Sequence, residues 1–200
     1  MSKIPSFEEA AKFHGHICPG LAIGYQVSAL ALDKLKSSKS EDEEFLAIVE
    51  NDSCSVDGIQ FITGCTFGKG NLIFKDYGKQ VFTFVNRNTG ANLRIYFKAD
   101  MNDLNPEFSK LKDLLLKNPS KENKDKFEKV KLDLSQKILN MPFDDLFDYN
   151  EVDLDVPNKA MIFDSLHCSN CGELVSKHRT KNLNRNEVCI PCFNKLKDDG

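Results

Sequence analysis

No stretch of the sequence approaches the roughly 18 consecutive apolar residues of a membrane span. The opening Met1-Ser2-Lys3-Ile4-Pro5-Ser6 puts no apolar run behind a basic patch, as a secretory signal would. Together these absences lead us to expect a cytoplasmic protein without membrane contact. An excess of positive charge is also missing. Lys and Arg number 27 against 30 Asp and Glu, for a net charge of −3 and a pI near 5.8, which argues against a strongly electrostatic nucleic-acid binder. No internal repeat is visible, and the only biased segment is Lys-rich, between Lys117 and Lys131. The remaining composition is that of an ordinary chain of 200 residues, 40% hydrophobic and 28% charged, enough for one or two domains. What the chain has in quantity is cysteine. There are seven, each close to another Cys or a His, so ligands or reactive thiols are expected rather than disulfides.

Four cysteines stand at the C-terminal end as Cys168-Ser-Asn-Cys171 and Cys189-Ile-Pro-Cys192. Two Cys-x-x-Cys knuckles on a folded-back ribbon make a four-thiolate tetrahedron for zinc. Gly172 permits the positive φ that a knuckle needs, and Phe193 onward reads as a short helix whose start presents the last ligands. That pattern predicts a treble-clef finger over residues 165–200. With little apolar core of its own, the module would take most of its folding energy from the metal.

The other three cysteines lie upstream with two histidines. His14, His16 and Cys18 alternate, so an extended segment would point all three one way. An apolar helix is predicted from Pro19 to Leu35, with Cys18 at its positive end, where a thiol pKa is lowered. Gly20, Gly24 and Ser28 cut a narrow groove along one face of that helix. Cys54 opens a second, shorter helix that Gly64 stops. Cys65 follows it. A straight helix would hold Cys54 and Cys65 roughly 16 Å apart, so Cys54 is favoured as the partner of the His-x-His-x-Cys segment and Cys65 reads equally well as a small core residue.

The rest of the pattern describes an α+β core over residues 1–164. Ser6-Phe7-Glu8-Glu9 fits a capping box. Phe45 to Val49 reads as a buried strand, and Asn71–Lys75, Gln80–Val85 and Ala91–Lys98 as an antiparallel meander with helices packed on it. Amphipathic helices follow Pro106 and Ser120. The loop Gly64-Cys-Thr-Phe-Gly68-Lys69-Gly70 fails as a phosphate loop, because its first glycine is one residue too close and Gly70 replaces the magnesium-binding hydroxyl. It could still line a pocket with Lys69 facing an anion, or be a tight turn with an exposed lysine.

On His14-Gly-His16-x-Cys18-Pro19-Gly20, Cys54-Ser-Val-Asp57-Gly-Ile59-Gln60 and Thr63-Gly64-Cys65-Thr66-Phe-Gly68-Lys69-Gly70-Asn71-Leu72, residues 1–165 resemble the FmdE family, named after a component of formylmethanofuran dehydrogenase. The resemblance implies an α+β core, a C-terminal treble clef in some members, an intertwined homodimer, and His16, Cys18, Cys54 and Cys65 at a core metal or active site. It also implies a link to methanogenesis-related one-carbon metabolism. The chain lacks the ferredoxin-type Cys spacing and the length to carry a molybdenum or tungsten pterin enzyme by itself. The finger is similar, more briefly, to that of DksA-type transcription factors, where it serves protein contact.

Three functions compete. One is a metal-binding accessory or regulatory homodimer with a second transition metal in the core and a protein partner at the finger. Another is an enzyme using Cys54 or Cys18, Asp57 as acid or base, and Lys69 on an anionic substrate. The weakest is nucleic-acid binding through Lys177, His178, Arg179, Lys181 and Arg185, a surplus of charge that four thiolates and one zinc ion cancel.

Overall fold

The computed structural model describes residues 4–198. Helix α1 (Phe7–His14) opens on the capping box, with the Ser6 side chain accepting from the Glu9 N–H and the Glu9 carboxylate from the Ser6 N–H. Gly15 ends it at φ +92°, a left-handed turn that side chains resist. Helix α2 (Pro19–Lys34) has Pro at its first position and Cys18 as its N-cap. Apolar on nearly every side, it is buried centrally, with Leu21, Ala22, Val27, Leu30 and Ala31 wholly enclosed. Strand β1 (Phe45–Val49) and helix α3 (Ser55–Thr63) follow, the helix stopped by Gly64 at φ +73°.

Then come β2 (Leu72–Phe74), β3 (Val81–Asn86), β4 (Asn92–Phe97), a short α4 (Met101–Leu104), α5 (Pro106–Lys117), α6 (Lys121–Asn140), a short α7 (Phe143–Leu146) and β5 (Phe147–Asn150). The sheet runs β2-β1-β3-β4-β5. The α+β class holds, but the sheet is mixed rather than antiparallel. β3 and β4 form the expected hairpin, while β2 lies parallel to β1 with Leu72 opposite Ala47. The connection explains it. Helix α3 carries the chain back across the sheet between β1 and β2, and a crossover of that kind returns a strand parallel to the first.

Both faces of the sheet are covered, which is why all five residues of β1 are buried. On one face Phe45, Ala47, Phe82, Phe84 and Ile95 belong to the cluster formed with α2 and α3. On the other, Leu46, Ile48 and Val85 lie beneath Ile73, Leu154 and Val156. Residues 151–157 thus cross the second face as an irregular strap, with Val152, Leu154 and Val156 partly buried between exposed Glu151, Asp153 and Asp155. The Arg87 guanidinium donates to the Pro157 carbonyl at 2.7 Å and fixes the strap's end.

The glycine groove of α2 receives α3. A Cβ on Gly24 would stand 2.1 Å from the Ser55 carbonyl oxygen, and one on Gly58 2.9 Å from the Gly24 backbone. α6 packs along α2 as well, where the buried Gln26 amide donates to the Ile138 and Leu139 carbonyls.

A second unit begins at Ala160. Its hairpin β6 (Ser165–His167) with β7 (Leu174–Ser176) precedes a 3₁₀ turn (Lys177–Arg179). A second hairpin, β8 (Thr180–Leu183) with β9 (Asn186–Cys189), leads into α8 (Ile190–Asp198). The apolar groups buried there, among the described residues, are Cys168, Val188 and Cys189.

Candidate functional site

Two helix starts and one helix end meet at the upstream cluster. Because α2 and α3 touch at Gly20, Gly24 and Gly58, their N-caps Cys18 and Cys54 are neighbours; a Cβ on Gly20 would lie 3.0 Å from the Cys54 Cβ. His14 arrives from the last turn of α1, and the left-handed Gly15 swings His16 back until the two imidazoles stack with centroids 4.3 Å apart. The His-x-His segment is therefore a helix end and a turn, not the extended stretch that its alternation suggested. One ligand atom from each of His14, His16, Cys18 and Cys54 lies within 4.8 Å of every other. A tetrahedron with bonds of zinc length has edges of roughly 3.3–3.8 Å, so the four need draw in by roughly 1.5 Å at most to hold one ion.

A carboxylate stands behind the cluster. The Asp57 Oδ2 lies 2.7 Å from His14 Nδ1, which leaves His14 Nε2 turned to the Cys18 sulfur at 3.8 Å. Metal-bound histidines are held this way, the second ring nitrogen donating to a carboxylate that fixes tautomer and orientation. Asp57 also accepts from the Gln60 amide at 3.3 Å. The structure thus puts Asp57 behind a ligand, where the sequence had suggested an acid or base for substrate.

Burial favours the uncharged forms of Cys18 and His16 here. Burial pushes the Cys18 thiol up to about 11, against the pull of the Leu21 N–H on its sulfur and with the Cys54 sulfur adding to the rise. The lowered pKa expected from the helix start does not appear, because desolvation outweighs it. A divalent ion supplies the missing counter-charge and deprotonates such thiols outright. Burial first, then His14 and Lys131, hold His16 below the ordinary imidazole value against the opposing Glu128. Its neutral form is the ligating one.

Cys65 and Lys69 go elsewhere. The Cys65 thiol is fully enclosed at the far end of α3, donates to the Phe45 carbonyl at 3.3 Å, and is pushed by burial up to about 12. Within one chain it stands outside the cluster, where two turns of helix and Gly64 put it. The Lys69 ammonium donates to the Ser40 and Glu41 carbonyls, so it pins a loop instead of facing a ligand. The glycine loop does line a pocket, through Phe67 rather than Lys69: a cleft of about 390 Å³ is shared by His14, Cys54, Asp57, Phe67 and Phe74. The two aromatics flanking the start of a short strand were not singled out by the sequence pattern. A larger cavity of about 570 Å³ near Lys36 and Asn86, at the C-terminal end of α2, is lined by neither cysteine nor histidine.

In the second unit, Cys168, Cys171, Cys189 and Cys192 bring their sulfurs within 4.8 Å of one another. Cys168 and Cys171 flank the knuckle of the first hairpin, where Gly172 adopts φ +76°; Cys189 ends β9 and Cys192 lies in the first turn of α8. Backbone N–H groups from Cys171 and Cys189 hold the Cys168 thiol down to about 6, ready to ligate. Of the basic residues there, His178 stacks on Phe163 at 3.8 Å and accepts from the Arg179 guanidinium, whereas Lys181 and Arg185 occupy the second hairpin.

Residues 13–148 match the family described as FmdE, molybdenum formylmethanofuran dehydrogenase operon, and residues 162–197 the prokaryotic DksA/TraR C4-type zinc finger. A protein of Archaeoglobus fulgidus, described as a probable S-adenosyl-L-methionine-binding protein, is 33% identical over 193 residues, covering 92% of this chain and 51% of its own length. The chain thus spans about half of that relative. The crystal structure of a tungsten formylmethanofuran dehydrogenase FmdE-like protein from Syntrophus aciditrophicus shares the fold, with a TM-score of 0.60, 23% identity, and coverage of 96% of this chain and 94% of that one. Among the described residues no helix is long and apolar enough to cross a membrane. With its FmdE domain over most of its length and a C4 finger behind it, the chain belongs to the FmdE family.

Proposed function

We propose that this chain is a metal-dependent accessory or regulatory protein whose working centre is the core His14-His16-Cys18-Cys54 cluster, and whose finger is a closed zinc module for protein contact. The observation that carries the reading is the Asp57–His14 pair, a carboxylate spent on orienting an imidazole toward two thiols. The four cluster residues would hold a transition ion, and such an ion supplies Lewis acidity or the recognition event of a sensor. His16 is exposed while Cys18 is buried, so His16 is the ligand best placed to exchange. The finger offers four sulfurs and no imidazole, the closed donor set of a structural site even though Cys171 is exposed.

A homodimer belongs to the same proposal. Leu114 and Leu116 on α5 are 42% and 77% exposed, and light scattering on the full chain tests it. A metal- or thiolate-dependent step in one-carbon chemistry remains the second reading, supported by the cleft beside the cluster. The S-adenosyl-L-methionine in the relative's description does not enter either reading, since about half of that protein has no counterpart here.

Metal analysis decides. The purified chain should carry about two ions, and Cys54→Ser about one, with the finger's zinc intact. A single ion in both proteins would end the core-site reading.

A further inference from the structure

We propose that the cleft beside the core cluster binds a flat heteroaromatic small molecule that is neutral or cationic, and that it excludes phosphorylated ones. This rests on the reading of the core cluster as the working centre. At about 390 Å³, the cleft falls within the range of roughly 300–1,000 Å³ typical of small-molecule sites. Val49 and Leu72 give it an apolar floor, 1% and 7% exposed, while Phe67 and Phe74 stand at its mouth 78% and 45% exposed. Two phenyl rings so placed offer faces on which another flat ring can stack, and their quadrupoles attract a positive charge.

Charge then selects among flat rings. Among the described residues no lysine or arginine lines the cleft, whereas Asp52 and Asp57 do. Lys69, on the loop that carries Phe67, is committed to the Ser40 and Glu41 carbonyls. A divalent ion in the cluster is balanced by the thiolates of Cys18 and Cys54, so the two carboxylates set the sign of the cleft. A low-dielectric cleft lined with one sign focuses its field. A phosphate ester meets repulsion there, and a neutral or N-alkylated ring does not. Because His14 and Cys54 line the same cleft, a ring held between the phenylalanines lies beside two of the cluster's ligands.

The test uses the full, zinc-loaded chain with its metal content measured. Ligand-observed NMR would compare a set of flat heteroaromatics, each presented as the neutral compound, its N-methylated cation and its phosphate ester. The neutral and cationic forms should bind, with the esters weaker by about tenfold at low ionic strength and the gap closing as salt is added. Phe67→Ala combined with Phe74→Ala should weaken binding roughly fivefold without changing zinc content. Asp52→Asn should narrow the discrimination about threefold. Absence of binding at millimolar concentration, equal binding of the esters, or full binding by the double phenylalanine variant would each overturn the proposal. Elemental analysis reports on the metal separately, since neutral rings binding to a chain without core zinc would keep the cleft and remove the metal.

Discussion

In the finger, four sulfurs converge from a knuckle and a helix start, and among the described residues Val188 is the one buried apolar side chain besides two of the ligand cysteines. In the core, the candidate ligands sit at the ends of three helices and the turn between two of them, helices already packed together over a five-stranded sheet. The finger has little besides its sulfurs to hold it together, whereas the core cluster sits on a scaffold that packs without it. That difference supports the proposed division, a structural ion in one site and an exchangeable one in the other. A site whose scaffold stands without the metal can release a ligand and recover.

The largest expected effect would break this comparison if it failed. Chelation, or Cys168→Ser, should unfold residues 160–198 and leave the core unit protected, because structural zinc contributes roughly 10–16 kcal/mol to such modules. Hydrogen exchange by mass spectrometry reads both units in one sample, and loss of protection in both would erase the distinction. Next is Gly24→Ala. Its Cβ would collide with the Ser55 carbonyl, so the core should lose about 2–4 kcal/mol in urea unfolding and its cluster should loosen, despite alanine's better helix propensity. The finger's zinc affinity should not move.

Asp57→Asn should weaken the core metal by about 10- to 100-fold in competition with a chelator, with the finger unaffected. A comparable energy attaches to Cys65, the cysteine of neither group. Its thiol titrates near 12 in the folded chain against an ordinary 9.0, so above pH 9 the unfolded chain binds fewer protons than the folded one. Stability should then fall with rising pH up to pH 12, by as much as about 1.4 kcal/mol per unit. Cys65→Ala should flatten that slope, and an unchanged slope would show that other groups carry it. The smallest effect is His16→Ala, which should cost less metal affinity than His14→Ala because His16 is exposed, whereas His14 is oriented by the Asp57 carboxylate.

What could be read from the sequence was what neighbours along the chain decide. Ser6 and Glu9, Pro19, Gly64 and Ser120 mark helix ends by local hydrogen bonding and φ preference, and the helices begin and end there. The Gly20-Gly24-Ser28 spacing announced a close approach, and α3 makes it. The family motif named His16, Cys18 and Cys54 but carried Cys65 with them, while His14 was visible only through its alternation with His16 and Cys18. Pairing over distance was not legible. Nothing in Leu72-Ile-Phe74 says that it lies parallel to β1, and Phe147–Asn150 is too short to declare itself an edge strand. Asp57 was visible as a carboxylate near Cys54, yet its partner His14 is 43 residues away. The alternation Val152, Leu154, Val156 is plain in the sequence, but nothing local tells which surface it covers, since no hydrogen-bonded ladder accompanies it.

That strap sets where the chain can be cut. A chain ending at Asn150 would keep every helix and strand of the sheet domain and still bare Leu46, Ile48 and Val85 to water, the kind of uncovered sheet surface on which proteins aggregate. One extended through Asn158 would keep the Arg87 clasp and stay in solution. Those eight residues belong to the folded body of the first unit, which ends at Lys159.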